Sequence, residues 1–191
     1  MSPRIKEDFE KMKEASREKI LMTAFELFAE KGYSSSSVEN IAQKAKISKG
    51  LIYHYFKSKE EILKGIFFIL QEQLNQVMLE NKELQPEEYI QKMIAFSFRF
   101  IVQQTQANRL LISLALQPKV IEGIKEDLAA ASQTWMNQLI QMFTQLGYES
   151  PEAEAYLLGA VFDGISVGYQ TFGNDYPINE IEKLIIKKYK R

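Results

Sequence analysis

The sequence predicts an all-α chain of about nine helices, with an N-terminal three-helix module that contains a helix-turn-helix, followed by a larger helical domain. Three observations predict it. Apolar residues recur three and four apart along most of the chain, and no strand-like alternation lasts beyond a few positions. Serine, proline and glycine fall where such helices would begin and end. Two short helical segments joined by a tight turn sit between longer ones.

The first helix runs from Ser16 to Lys31 with Ile20, Ala24, Leu27 and Phe28 on one face; Gly32 ends it as a left-handed cap, and Tyr33 folds back on the last turn. In "SSSSVENIAQKAK", either Ser36 paired with Glu39 or Ser37 by itself caps a short helix that ends near Lys44 and buries Val38, Ile41, Ala42 and Ala45. A turn at Lys46 and Ile47 leads to Ser48, the cap of a third helix, Lys49 to Tyr55. Ser58 with Glu61 is a further capping box and opens a long helix reaching about residue 82. Pro86 begins a helix to Gln106, a short one follows near Asn108 to Leu116, and Pro118 breaks the chain before a helix from about Val120 to Leu146. Ser150-Pro151-Glu152 opens the next, and the last spans about Asn179 to Lys190. The helix-turn-helix lies at about 37–55, residues 1–60 form one domain and 61–191 the other.

The composition excludes several kinds of chemistry. With 46% hydrophobic residues in 191, the chain can build a real core. No cysteine is present and only one histidine, so thiolate and imidazole metal sites are not expected, and no cofactor is implied. No nucleophile constellation or glycine-rich phosphate loop suggests an enzyme. Neither a signal-peptide run nor a window of about 18 uncharged apolar residues appears, so a cytoplasmic protein without membrane contact is expected. Charge is uneven: residues 1–60 carry 12 Lys and Arg against 9 Asp and Glu, whereas 61–191 carry 12 against 16. The basic end points toward a polyanion.

Much of that positive charge lies in "KAKISKGLIYHYFKSKEE", where Lys44, Lys46, Lys49, Lys57 and Lys59 accompany His54, Tyr53 and Tyr55 without an acid before Glu60. A helix that enters a DNA major groove needs a slim first turn, donors facing phosphates and a few side chains reaching base edges. Gly50 supplies the slim turn, Ser48 a hydroxyl, and Lys49 stands where a base acceptor could be reached; Tyr53 and His54 follow one turn later, with Ile52 and Phe56 facing inward. Tyr55 and Lys59 can reach the flanking backbone. The competing reading makes Lys57 and Lys59 a solvated face and Tyr53 a core aromatic.

The phrases "F-x-x-KGY", "V-x-x-IA" and "ISKG-x-IY-x-YF-x-SKEE" occur in this order between Ser16 and Leu63, and this segment resembles the N-terminal DNA-binding domain of the TetR family of bacterial transcriptional regulators. The resemblance covers a quarter of the chain; beyond it only length, helix count and "DGI" at Asp163–Ile165 are similar. It implies that Lys49, Gly50, Leu51, Tyr53 and His54 face the groove, and that Ser37, Ser48, Tyr55 and Lys59 lie near phosphates. One departure stands out: where the family usually has glycine in the turn, this chain has Lys46. A left-handed backbone there costs about 1 kcal/mol more for lysine than for glycine.

In the larger domain, the helix after Pro86 is apolar on more than one face, so it is buried on most sides or lines a cavity. Met93, Phe96, Phe100, Leu111, Trp135, Phe162 and Tyr169 are candidate lining residues for a pocket taking an apolar or amphipathic small molecule, with solid core as the alternative. Gly159, Gly164 and Gly168 suggest close helix approach in the penultimate helix. The resemblance implies a homodimer formed by the last two long helices, with Leu157, Val161, Ile165, Ile181, Leu184 and Ile185 as candidates and packing of the same residues within one chain as the alternative. The expected protein is therefore a ligand-responsive regulator, a repressor bound to double-stranded operator DNA and released by an effector. The alternative is a helical ligand-binding or protein-interaction bundle without DNA-binding activity.

Overall fold

The computed structural model describes residues 3–190, the side chains of 3–10, 127, 128 and 130–132 excepted. Among the described residues there is no strand. Nine α-helices follow in order: α1 (Pro3–Lys31), α2 (Val38–Ala45), α3 (Lys49–Tyr55), α4 (Lys59–Glu80), α5 (Pro86–Gln103), α6 (Thr105–Ala115), α7 (Pro118–Gln145), α8 (Pro151–Phe172) and α9 (Ile178–Lys188), with a 3₁₀ turn at Gly173–Asp175. Two compact units divide inside α4, Met1–Leu70 and Gln71–Arg191.

The first unit is built around α1. Ile20, Leu21, Ala24, Leu27 and Phe28 are buried against Val38, Ile41, Ala42 and Ala45 of α2, Ile52 of α3 and Ile62, Leu63 and Ile66 of α4. Helix α1 starts well before Ser16, because the Ser16 hydroxyl donates to the Met12 carbonyl at 2.8 Å, the bond of a serine inside a helix instead of a cap. Gly65 allows α4 to approach α1: a Cβ there would lie 2.8 Å from Leu21 Cδ2.

The second unit has its core among α5, α7, α8 and α9, with Ile90, Ile94, Phe98, Leu139, Phe143, Leu158, Phe162 and Tyr189 at its centre. Phe98 and Phe162 meet edge to face at 5.7 Å. Pro118 is a first helical residue and not a break. Helix α6 begins at Thr105, so Asn108 lies within its first turn and is 3% exposed. Of the three α8 glycines expected at close helix approaches, only Gly168 is crowded. Its neighbour is the ring of Tyr176, 2.5 Å from a built Cβ, so the close approach belongs to the loop after α8. Gly159 makes an ordinary contact with Met136, and Gly164 faces open space.

Candidate nucleic-acid interface

The local chemistry of the turn fixes how α2 and α3 present their side chains. Ser37 is the α2 cap: its Oγ accepts the Asn40 N–H at 3.1 Å and donates to Asn40 Oδ1 at 2.9 Å, while Oδ1 accepts the Ser37 N–H at 3.0 Å. This is a capping box with asparagine as third residue. Ser36 is not the cap; it is buried and donates to the Gly32 carbonyl at 2.8 Å. Helix α2 ends at Lys46, which takes a left-handed backbone (φ 54, ψ 47), and the Ile47 N–H returns to the Ala42 carbonyl at 3.0 Å. Lys46 is the one residue other than glycine with positive φ among the described residues.

Helix α3 begins after Ser48, whose Oγ accepts the Leu51 N–H at 3.1 Å. Ile52 and Phe56 are buried, and the opposite side presents Lys49, Gly50, Tyr53 and His54 to solvent, with Leu51 and Tyr55 half-buried. Tyr53 is 49% exposed, so it is not a core aromatic. The Lys49 ammonium lies 6.0 Å from its ring centroid, and His54 meets Tyr55 edge to face at 5.2 Å.

The five lysines of the basic stretch divide sharply. Lys44 is paired with Glu26 and Glu30 at 3.3 and 3.2 Å, and the hydrogen bond to Glu30 first of all raises its pKa. Lys59 is half-buried and donates to the Tyr33 and Ser36 carbonyls at 2.9 and 2.8 Å. Folding brings these two carbonyls to Lys59 from residues far off in the sequence. Lys46, Lys49 and Lys57 are exposed. The outward positive charge is therefore narrower than the sequence suggests, centred on α3 and its flanks.

The expected pocket and dimer residues in the second unit separate likewise. Met93 and Phe162 are buried, while Phe96, Phe100, Leu111, Trp135 and Tyr169 are half-buried, Trp135 and Tyr169 packing against the core to which Phe162 belongs. An open depression of about 570 Å³ lies elsewhere, lined by Ile140, Ser150, Pro151, Glu152, Ala153 and Tyr156. Two polar groups that sequence reasoning missed are buried in this unit without a hydrogen-bond partner among the described residues: the Tyr89 hydroxyl and Asn108 Nδ2. Burial pushes the Tyr89 pKa up to about 12. Ile165 and Ile185, expected at a dimer interface, are buried in this unit's core; Val161 and Ile181 are half-buried against it. Leu157 and Leu184 are 46% and 67% exposed.

The family model described as "Bacterial regulatory proteins, tetR family" matches residues 20–66. Relatives among curated proteins include the HTH-type transcriptional regulator YuxN of Bacillus subtilis, 59% identical over 44 residues (23% of this chain, 15% of that protein). Another is IcaR of Staphylococcus aureus, the negative transcriptional regulator of the biofilm operon icaADBC, 28% identical over 108 residues (56% of this chain, 58% of that protein). The chain thus spans less than two thirds of the length of these relatives. The fold of nearly the whole chain is that of FadR from Bacillus halodurans (17% identity, TM-score 0.77, 91% and 94% covered). It is also that of FadR from Bacillus subtilis, solved in complex with stearoyl-CoA (21%, TM-score 0.76, 90% and 96% covered). No described helix is long and apolar enough to cross a membrane.

Proposed function

By residues 20–66 the chain belongs to the TetR family of bacterial regulatory proteins, and on that premise we propose that it is a cytoplasmic, homodimeric repressor, released from a pseudo-palindromic operator by a small apolar or amphipathic effector. The observation that carries this reading is the outer side of α3, where Lys49, Gly50, Tyr53 and His54 are exposed together while Ile52 anchors the helix from behind. Lys49 is suited to a guanine edge and the Tyr53 ring to a thymine methyl, while the Ser48 hydroxyl and Lys57 serve phosphates. In a dimer, two such helices about 34–36 Å apart enter successive major grooves.

The second unit is assigned to the effector and to dimer formation. Its partly buried aromatics, together with the unpartnered Asn108 amide and Tyr89 hydroxyl, suit a molecule that is mostly apolar with a hydrogen-bonding group. The shared fold with a protein crystallised with stearoyl-CoA supports an amphipathic effector. Effector and DNA then weaken each other by the same factor, since binding linkage is reciprocal.

The test is Lys49→Ala, assayed on duplexes selected by the unaltered protein from a random-sequence pool. Affinity is expected to fall by about 10-fold or more, the loss of one good base contact being worth about 1–3 kcal/mol, with dimer mass unchanged in sedimentation. Unchanged binding in a gel-shift titration refutes the assignment.

A further inference from the structure

Lys59 opens α4, and the side chain of this residue faces inward. Its Nζ donates to the Tyr33 carbonyl at 2.9 Å and the Ser36 carbonyl at 2.8 Å, and lies 4.1 Å from the centroid of the Tyr33 ring. An ammonium has three donors and no acceptor. Two are taken by backbone and the remaining side is covered by an aromatic face that attracts the cation. Burial lowers the Lys59 pKa, against the opposing pull of Glu60.

The two carbonyls bracket the turn between α1 and α2. Tyr33 O also accepts the Ser36 N–H at 3.1 Å, and Ser36 Oγ ties the turn to Gly32 O at 2.8 Å. The peptide held by Lys59 at Ser36 is the one that leads directly into Ser37, the cap of α2. The Ser37 carbonyl accepts the Ile41 N–H at 3.1 Å. A single cation at the start of α4 therefore braces the turn from which the capping box of α2 starts.

We infer that Lys59 is a positioning residue for DNA binding: it holds the 33–36 turn so that Ser37 and the first turn of α2 meet the phosphate backbone, and it takes no phosphate itself. This rests on the regulator reading above. To reach a phosphate, Nζ would leave the Tyr33 ring and two carbonyls, one of them on a residue 3% exposed, whose lost partner is costly in a buried site. Lys57, two residues earlier and exposed, is the lysine of the pair that neutralises phosphate.

The experiment compares Lys57→Met and Lys59→Met in the full chain, each removing one charge. DNA binding is read by fluorescence anisotropy on a random-sequence duplex of about 30 base pairs, long enough for two half-sites, across a series of salt concentrations. Amide hydrogen exchange is read in the DNA-free proteins. Lys57→Met is expected to reduce the slope of log K against log salt by about 0.9, the signature of one lost phosphate contact. Lys59→Met is expected to keep the slope, to weaken binding about tenfold at every salt concentration, and to speed exchange at the Asn40 and Ile41 amides about tenfold. Lys59→Gln, neutral but still a donor to a backbone carbonyl, is expected to recover part of the affinity; it also serves should the methionine variant fold poorly. The loss with Ser37→Ala is expected to be non-additive with that of Lys59→Met. A slope reduced by about 0.9 in Lys59→Met, glutamine no better than methionine, or unchanged exchange at Asn40 and Ile41 overturns the inference. Failure of the unaltered protein to bind the duplex refutes the regulator reading itself, and this inference with it.

Discussion

Lys46→Gly tests the backbone of the helix-turn-helix directly. Lys46 sits at φ 54, ψ 47, inside the left-handed region, with its N–H directed at the Ala42 and Gln43 carbonyls and its side chain exposed. The left-handed region costs a residue with a Cβ about 1–2 kcal/mol. Glycine removes that cost but adds freedom to the unfolded chain worth about 0.4–1 kcal/mol. The net expected gain is about 0.5–1 kcal/mol, which for a chain of this size raises Tm by about 1–4 °C. Differential scanning calorimetry and urea titration measure it, with two controls. Lys46→Ala keeps the Cβ and is expected to gain nothing, whereas Lys46→Asn is expected to recover part of the gain because asparagine tolerates this region. If alanine stabilises as much as glycine, removal of charge is responsible and the backbone argument fails. The same variants report on DNA: if the Lys46 ammonium neutralises a phosphate, glycine and alanine reduce the salt slope equally, by about 0.9.

Asn108→Leu is expected to stabilise the effector-free protein by about 1–3 kcal/mol, because it replaces a buried amide whose Nδ2 has no acceptor among the described residues with an apolar side chain of similar size; a lowered Tm would show that the amide has a partner. The Glu60 carboxyl is held below the ordinary glutamate range, chiefly by its own backbone N–H and then by the Ser58 hydroxyl. Its stabilising effect is therefore present above the unfolded pKa and lost as pH falls through the folded one, so Glu60→Gln should narrow the stability difference from the unaltered protein only in the acid limb. Equal differences at all pH values would refute this. Gly164→Leu is expected to weaken dimers without lowering monomer stability much, since a Cβ at Gly164 meets nothing within 4 Å in the isolated chain; an unchanged dimer constant by sedimentation removes α8 from the interface.

The first unit was readable because its signals are local. A serine cap, a glycine stop and a period of three to four residues act within one helical turn, so α3 is found at Lys49–Tyr55, the span the sequence predicts. The left-handed turn at Lys46 has no such local signal, since lysine replaces the glycine that would mark it; only the resemblance to the family pattern points to it. What stayed hidden is how the side-chain donors are used. Lys59 and Tyr33 are 26 positions apart, and no local rule brings them together. The same limit hid the pairing of Lys44 with Glu26 and Glu30. A list of lysines thus overstates the outward charge, and only tertiary contacts show which of them are occupied.

In the second unit the sequence identifies apolar helices but not which side of each faces the core, because α8 is apolar most of the way round. The structure resolves the ambiguity in a way that bears on assembly. Ala155, Leu158, Phe162 and Ile165 turn inward, whereas Tyr156, Leu157, Ala160, Gly164 and Val167 form an exposed, mostly apolar stripe at three- and four-residue spacing, with the exposed Asp163 among them. Scattered exposed apolar residues need no explanation, but residues aligned on one face do. A second copy of α8 laid along it could approach most closely at Gly164, and Leu184 of α9 is also exposed. The proposed homodimer therefore rests on this stripe and on Leu184, and Ile165 and Ile185 act from beneath, holding α8 and α9 on the core so that their outer faces stay presented.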